Sequence, residues 1–133
     1  MPKDVGLQPL RVPSGWVVSY NLLVELDPDA TGFERDEVAA YFREDLLQFV
    51  RPACNRLVDV GWYPDGDLAD GQYRLVVYEG DFRGQLLHAF ETRSRAALTA
   101  ELERVLEAAG RQPLSAPTAS KQAGFTSYSG GGG

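Results

Sequence analysis

The sequence predicts an α+β domain: a four-stranded, mainly antiparallel sheet with helices packed on one face, in the order β-α-β-β-β-α. Three observations carry that reading. Four segments alternate apolar and polar residues with the period of two that a half-buried strand requires. Two segments, 34–50 and 94–109, change to three-and-four spacing, as an amphipathic helix does. The last three strands follow one another through short, turn-rich links, which favours a meander.

Residues 1–14 hold prolines and glycine without a period and are read as a flexible N-terminal arm. The single α+β domain is assigned to 15–110. WVVSYNLLVEL (16–26) gives the first strand, with Trp16, Val18, Tyr20, Leu22, Val24 and Leu26 on one face. DPDATG (27–32) ends it with turn chemistry. Over 34–50, Val38, Tyr41, Phe42, Asp45, Leu46 and Phe49 keep helical spacing with one polar interruption, so the stretch is one helix or two short pieces. Glu34, Asp36 and Glu37 suit the positive end of a helix dipole, and Arg51-Pro52 stops the element. Arg56–Tyr63 is the second strand, and Gln72–Glu79 is the third. Asp65-Gly66 and Asp70-Gly71 mark the turn between them. Gly84–Phe90 is the fourth strand. Thr92 or Ser94 can cap the last helix, Leu98, Leu102, Val105, Leu106 and Ala109 form its apolar stripe, and Gly110 is placed to end it. The Pro-, Ser- and Gly-rich stretch 111–133 is expected to be a disordered tail.

If both helices cover one face of the sheet, the other is solvated or meets a partner. Val17, Leu23, Val76, Tyr78 and Leu87 stand opposite the most apolar faces, which is more apolar material than a solvated surface needs. An interface is one explanation, and cover by the arm or tail is the other.

Composition narrows the function classes. The chain has 133 residues, 44% of them hydrophobic and 24% charged, as expected of one ordinary globular domain. No apolar run approaches the roughly 20 residues of a membrane helix, and the first residues lack the apolar core of a secretory signal, so no membrane association and a cytoplasmic location are expected. One cysteine, Cys54, precludes an internal disulfide. The net charge of −6, from 19 acidic and 13 basic residues, argues against nucleic acid as partner and suits something basic.

The loop PDGDLADG (64–71) invites a metal reading, which its spacing rejects. Counted from Asp65, a calcium loop would need an oxygen ligand at the fifth position, glycine at the sixth and glutamate at the twelfth; the chain has Ala69, Asp70 and Val76. Asp59 lies mid-strand between Val58 and Val60 and needs a partner such as Arg74 if its face is buried. His88 is the only histidine, which leaves a zinc site without ligands, and nothing local supports a Cys54–His88 nucleophile pair. Phosphate-loop, dinucleotide, nucleophile-elbow and zincin motifs are absent from the sequence, so no catalytic residue, metal or cofactor is assigned. The aromatic pair Trp62 and Tyr63 beside Asp65, Asp67 and Asp70 is what remains: a docking patch for a partner, since Tyr and Trp beside a polar loop often form binding hot spots. Glu79 and Asp81 form a second acidic group, expected at the opposite end of the third strand.

EDLLQFV, LVDVGWYPDGD and GQYRLVVYEGDF, followed by the helix at 94–109, resemble small cytoplasmic immunity proteins encoded beside bacterial polymorphic toxins. The likeness covers about residues 16–109, and DVGWYP (59–64) is its most recognisable piece. It implies a non-enzymatic protein that neutralises one cognate toxin by direct binding; no binding residue is carried over. A basic toxin, with a nuclease the obvious example, would fit the acidic balance. The alternative from the residues is an adaptor or dimerising domain, a homodimer through the apolar outer sheet face.

Overall fold

The structure, a computed structural model, describes residues 5–111. The strands are β1 (Val17–Asn21), β2 (Leu47–Arg51), β3 (Arg56–Tyr63), β4 (Gln72–Glu79) and β5 (Leu86–Thr92). A five-residue helix α1 (Arg35–Ala39) lies between β1 and β2, and α2 (Arg95–Arg111) follows β5. All neighbours are antiparallel in the order β1-β2-β3-β4-β5. The α+β class and the antiparallel sheet agree with the sequence. The strand count does not: there are five strands rather than four, in the order β-α-β-β-β-β-α.

The extra strand is β2, which occupies the second half of the stretch expected to be helical. The helix lasts little more than one turn. Val38 and Phe42 enter the core, and then Leu47 and Phe49 point inward while Gln48 and Val50 point outward. Pairing decides the outcome: a strand here satisfies the backbone of both β1 and β3, and Leu46 and Trp62 extend the ladder through Leu46 N–H to Val60 O and Trp62 N–H to Arg43 O. Asp45, which a continuous helix would have pressed into the core, is instead exposed in the turn before β2.

β1 is shorter than the 16–26 expected. Its register slips between Val18 and Tyr20, and Asn21 Oδ1 accepts the Leu23 N–H. The kink inverts the pattern: Leu22 is exposed and Leu23 is buried. Beyond the kink, Leu7 and Val24 form an antiparallel bridge, with Gln8 N–H to Leu23 O and Glu25 N–H to Gly6 O. Part of the stretch read as a loose arm is therefore hydrogen-bonded to the domain. Of the tail expected over 111–133, Arg111 closes α2, and residues from 112 onward lie outside the described residues.

β3 and β4 have the expected bounds, and β5 starts two residues later than expected. Ser94 caps α2, accepting the Ala97 N–H at 3.0 Å on its hydroxyl. The α2 stripe Leu98, Leu102, Val105, Leu106 and Ala109 is fully buried against the inner sheet face, where Val58, Val60, Leu75 and Val77 meet it. Each such side chain contributes roughly 1.5–3 kcal/mol by burial. Phe42, Trp62 and Tyr73 form an edge-to-face cluster, with Trp62 centred 4.8 Å from Phe42 and 4.9 Å from Tyr73. Burial raises the Tyr73 hydroxyl well above its ordinary pKa. Both helices serve this inner face, and among the described residues neither helix packs on the outer face. Leu23 and Leu87, expected on the outer side, belong to the core.

Candidate binding face

Register places the outer residues in rows across the strands. Val17, Val50, Leu57, Tyr78 and Leu86 stand opposite one another and form an uncharged row crossing all five strands. Phe82 extends it, its ring edge-on to Tyr78 at 5.4 Å and half exposed. The next row is Tyr20, Gln48, Asp59, Val76 and Ala89. Beyond it Arg74 faces Gly61 on one side and Glu91 on the other, and the Arg74–Glu91 ion pair closes at 3.0 Å.

Asp59 sits in the middle strand of this face and is 7% exposed. Its Oδ1 accepts the Tyr20 hydroxyl at 3.3 Å and the Gln48 amide at 3.4 Å. Burial pushes its carboxyl up to about 6, against the pull of those two hydrogen bonds and with a small addition from the Asp45 charge. Arg74, the partner suggested by sequence, is instead committed to Glu91, with its guanidinium over the Tyr63 ring at 5.3 Å. The tyrosines report the same negative surroundings. Burial, then the charges of Asp59 and Asp45, push Tyr20 up to about 12; burial, then Asp59 and Glu44, raise Tyr63.

Gly61 makes this arrangement feasible. A Cβ there would stand 1.9 Å from the Glu44 carbonyl oxygen and 3.0 Å from Tyr63 Cε2. Without a side chain at 61, the Tyr63 ring leans back along the strand and its hydroxyl donates to Glu44 O at 3.3 Å. The acidic side chains of Glu44 and Asp45 are exposed, and neither has an ion-pair partner among the described residues.

The aspartate loop is a tied turn. Asp65 accepts the Arg43 Nε–H at 2.9 Å and the Glu44 N–H at 2.7 Å, which together hold its carboxyl below the usual range. Asp67 accepts the Asp70 N–H at 2.9 Å, and Arg93 clamps the loop through Gly71 O and Leu68 O. Asp65 and Tyr63 thus join Glu44 at the edge of the outer face, while Asp67 and Asp70 remain in the turn. Trp62 is corrected: it is fully buried, its indole donates to Asp67 O at 3.0 Å, and it offers a partner no surface. Glu79 and Asp81 lie at the far end of β4, where Asp81 accepts from the Arg83 N–H and guanidinium and is lowered by both. The eight residues of β4 put about 24 Å between the two acidic groups.

His88 points to the other side of the sheet. Opposite Val77, it meets Glu101 of α2 at 2.6 Å, across the sheet from Asp59. Burial opposes ionisation of Glu101, but hydrogen bonds from His88 and Arg104 outweigh it and hold the carboxyl at about 2. Cys54 donates to Ala109 O at 3.4 Å and is not paired with His88. A shallow groove of about 410 Å³ runs between Pro28–Ala39 and Gly66–Ala69; its charged side chains, Asp29, Arg35, Asp36 and Arg93, balance. Among the described residues there is no cluster of three or more His, Cys, Asp or Glu able to hold a metal, and no helix long and apolar enough to cross a membrane.

The sequence singled out Asp59 by its place between two valines but left it off the docking patch, and it missed Tyr20, Gln48, Glu44 and Asp45. Tyr20 and Gln48 reach Asp59, and Asp45 comes near it, only because β2 is a strand between β1 and β3; Glu44 meets Tyr63 instead. No protein-family model, curated protein or solved structure matches the chain.

Proposed function

We propose that this chain is an immunity-type binding protein that neutralises a basic bacterial toxin by covering the toxin's active cleft with its open sheet face. One observation carries the reading: on a single face, an uncharged row crossing five strands adjoins an acidic group, Glu44, Asp45 and Asp59, that forms no ion pair among the described residues. The row supplies apolar area for the centre of a contact, and the cluster with Asp65 steers a positive partner and fixes its orientation. The net charge of −6 acts in the same direction at longer range. Five strands of up to eight residues span roughly 24 Å by 27 Å. That is somewhat below the roughly 800 Å² per partner of a standard interface, so the contact takes in the loop bearing Tyr63, Asp65, Asp67 and Asp70 or the one bearing Asp81. The same reading gives the protein no catalytic role and places it in the bacterial cytoplasm.

The test is capture from lysate of the native host at low and moderate salt, followed by expression of the captured chain. A basic polypeptide that kills cells alone and spares them when this protein is co-expressed supports the proposal. A captured chain that is harmless, or whose toxicity this protein does not relieve, overturns it. The uncharged row also favours a second reading, an adaptor or homodimer built through the outer face; a defined dimer by light scattering that Val17→Asp dissolves would select it.

A further inference from the structure

We infer that the outer face holds a receptor for one arginine side chain of the partner, formed by the Asp59 carboxylate between Tyr20 and Tyr63, with Glu44 and Asp45 at its rim. The inference rests on the proposed basic partner. Four observations lead to it. Asp59 is more than nine-tenths buried, yet among the described residues it forms no ion pair. Both of its hydrogen bonds end on Oδ1, and Oδ2 has no partner. Among the described residues only Arg56 Nε is both sealed from solvent and without a partner, so Oδ2 opens outward. The groups nearest it are acidic, phenolic or neutral: Tyr20 from β1, Asp45 from the turn before β2, Gln48 from β2 and Tyr63 from β3, while Arg74 of β4, over the Tyr63 ring, is already paired with Glu91.

A desolvated carboxylate without a counter-ion is a standing cost to the fold. Asparagine at 59 could accept the same two hydrogen bonds without it. A local rule broken in this way is expected where a side chain serves binding rather than stability. The complement is a planar cation. Guanidinium is more weakly hydrated than ammonium and stacks on aromatic faces, and the Tyr63 ring already carries Arg74 in that manner. An entering guanidinium would direct one N–H to Oδ2 and others to the rim, while its flanking residues settle on Val76 and Tyr78.

The site can be tested without the partner. The full chain, labelled with ¹³C, is titrated with N-acetylarginine amide, and with the neutral isostere N-acetylcitrulline amide as control, while the Asp59 carboxyl is followed by NMR across pH 4–8. The expected result is a fall of about one unit in the Asp59 pKa at saturation, a tenfold preference for the ionised form. Perturbations should be confined to Tyr20, Asp59 and Tyr63, and the Asp59→Asn protein should lose them. An unchanged Asp59 titration, an equal effect from the citrulline amide, or unaltered binding to Asp59→Asn overturns the receptor. Because that experiment contains no toxin, failure of the receptor and failure of the neutralisation reading are separate results. In the presence of a verified toxin, equal capture by Asp59→Asn and wild type would reject the receptor while leaving the function standing.

Discussion

Asp59 and Glu101 are both buried carboxylates, and they pull stability in opposite directions with pH. The folded state raises Asp59 from 3.8 to about 6, so between those values it binds the proton more tightly than the unfolded chain does, and stability falls as pH rises through the interval. Asp59→Asn is therefore expected to stabilise the protein at pH 7–8 by about 2–3 kcal/mol, with the gain vanishing below about pH 4. Urea denaturation across pH 3.5–8 measures it, and a variant that is destabilised at every pH would show that the carboxylate has a cation. Glu101 has the reverse sign. Its carboxyl falls from 4.5 to about 2, so its contribution is complete above about pH 4.5 and is lost as pH falls towards 2. Glu101→Gln should cost about 2 kcal/mol near neutrality, because it breaks the contacts with His88 and Arg104 and leaves the partly buried His88 without its carboxylate. The wild-type and variant curves should converge in acid. Tyr63→Ala should weaken binding of the verified partner by about 2 kcal/mol, on the scale of an aromatic hot spot. Calorimetry giving an unchanged Kd with intact folding would remove Tyr63 from the contact.

At the level of the element, β3 and its neighbours explain what the sequence could and could not reveal. β3, β4 and α2 were legible because each has one unbroken period and plain end signals: the turn from Pro64 after β3, the Asp-Gly turn before β4, and Ser94 with the Leu98–Ala109 stripe for α2. β2 was not, because Phe42, Leu46 and Phe49 satisfy helical spacing while Leu47 and Phe49 satisfy alternation, and tertiary pairing chose between them. The polar Asp45 in the supposed helical stripe was the one local warning. The candidate face depends on that strand: Asp59 could be suspected from its own segment, but Tyr20 and Gln48 become its partners only across β2. Gly61 gives the element-scale prediction. Its missing Cβ leaves room for the Glu44 carbonyl, which a methyl group would meet at 1.9 Å. Gly61→Ala should lower stability by about 2 kcal/mol or more, since backbone rather than a flexible side chain must move. A melting temperature equal to wild type would mean that the turn before β2 yields freely.

For the whole molecule the acidic balance should appear in kinetics more than in the fold. Replacing Asp65, Asp67 and Asp70 with asparagine removes three of the net negative charges, and association with a basic partner should become slower and less sensitive to salt. Stopped-flow rates at several ionic strengths test this, with a parallel melt because Asp65 also anchors Arg43 and the Glu44 N–H. Rates equal to wild type at every ionic strength would reduce the loop to a turn. The order of the sheet has a consequence for synthesis. Every strand bonds to the one made just before it, so the meander can grow as the ribosome delivers it. The helix that seals its inner surface is made after all five strands. Until α2 is translated, Val58, Val60, Leu75 and Val77 on the nascent chain lack the α2 stripe that shares their core. A message broken before codon 95 would release a nearly complete sheet whose greasy side is bare, a natural client for chaperones and proteases. Quality control of this sheet is thereby concentrated in α2.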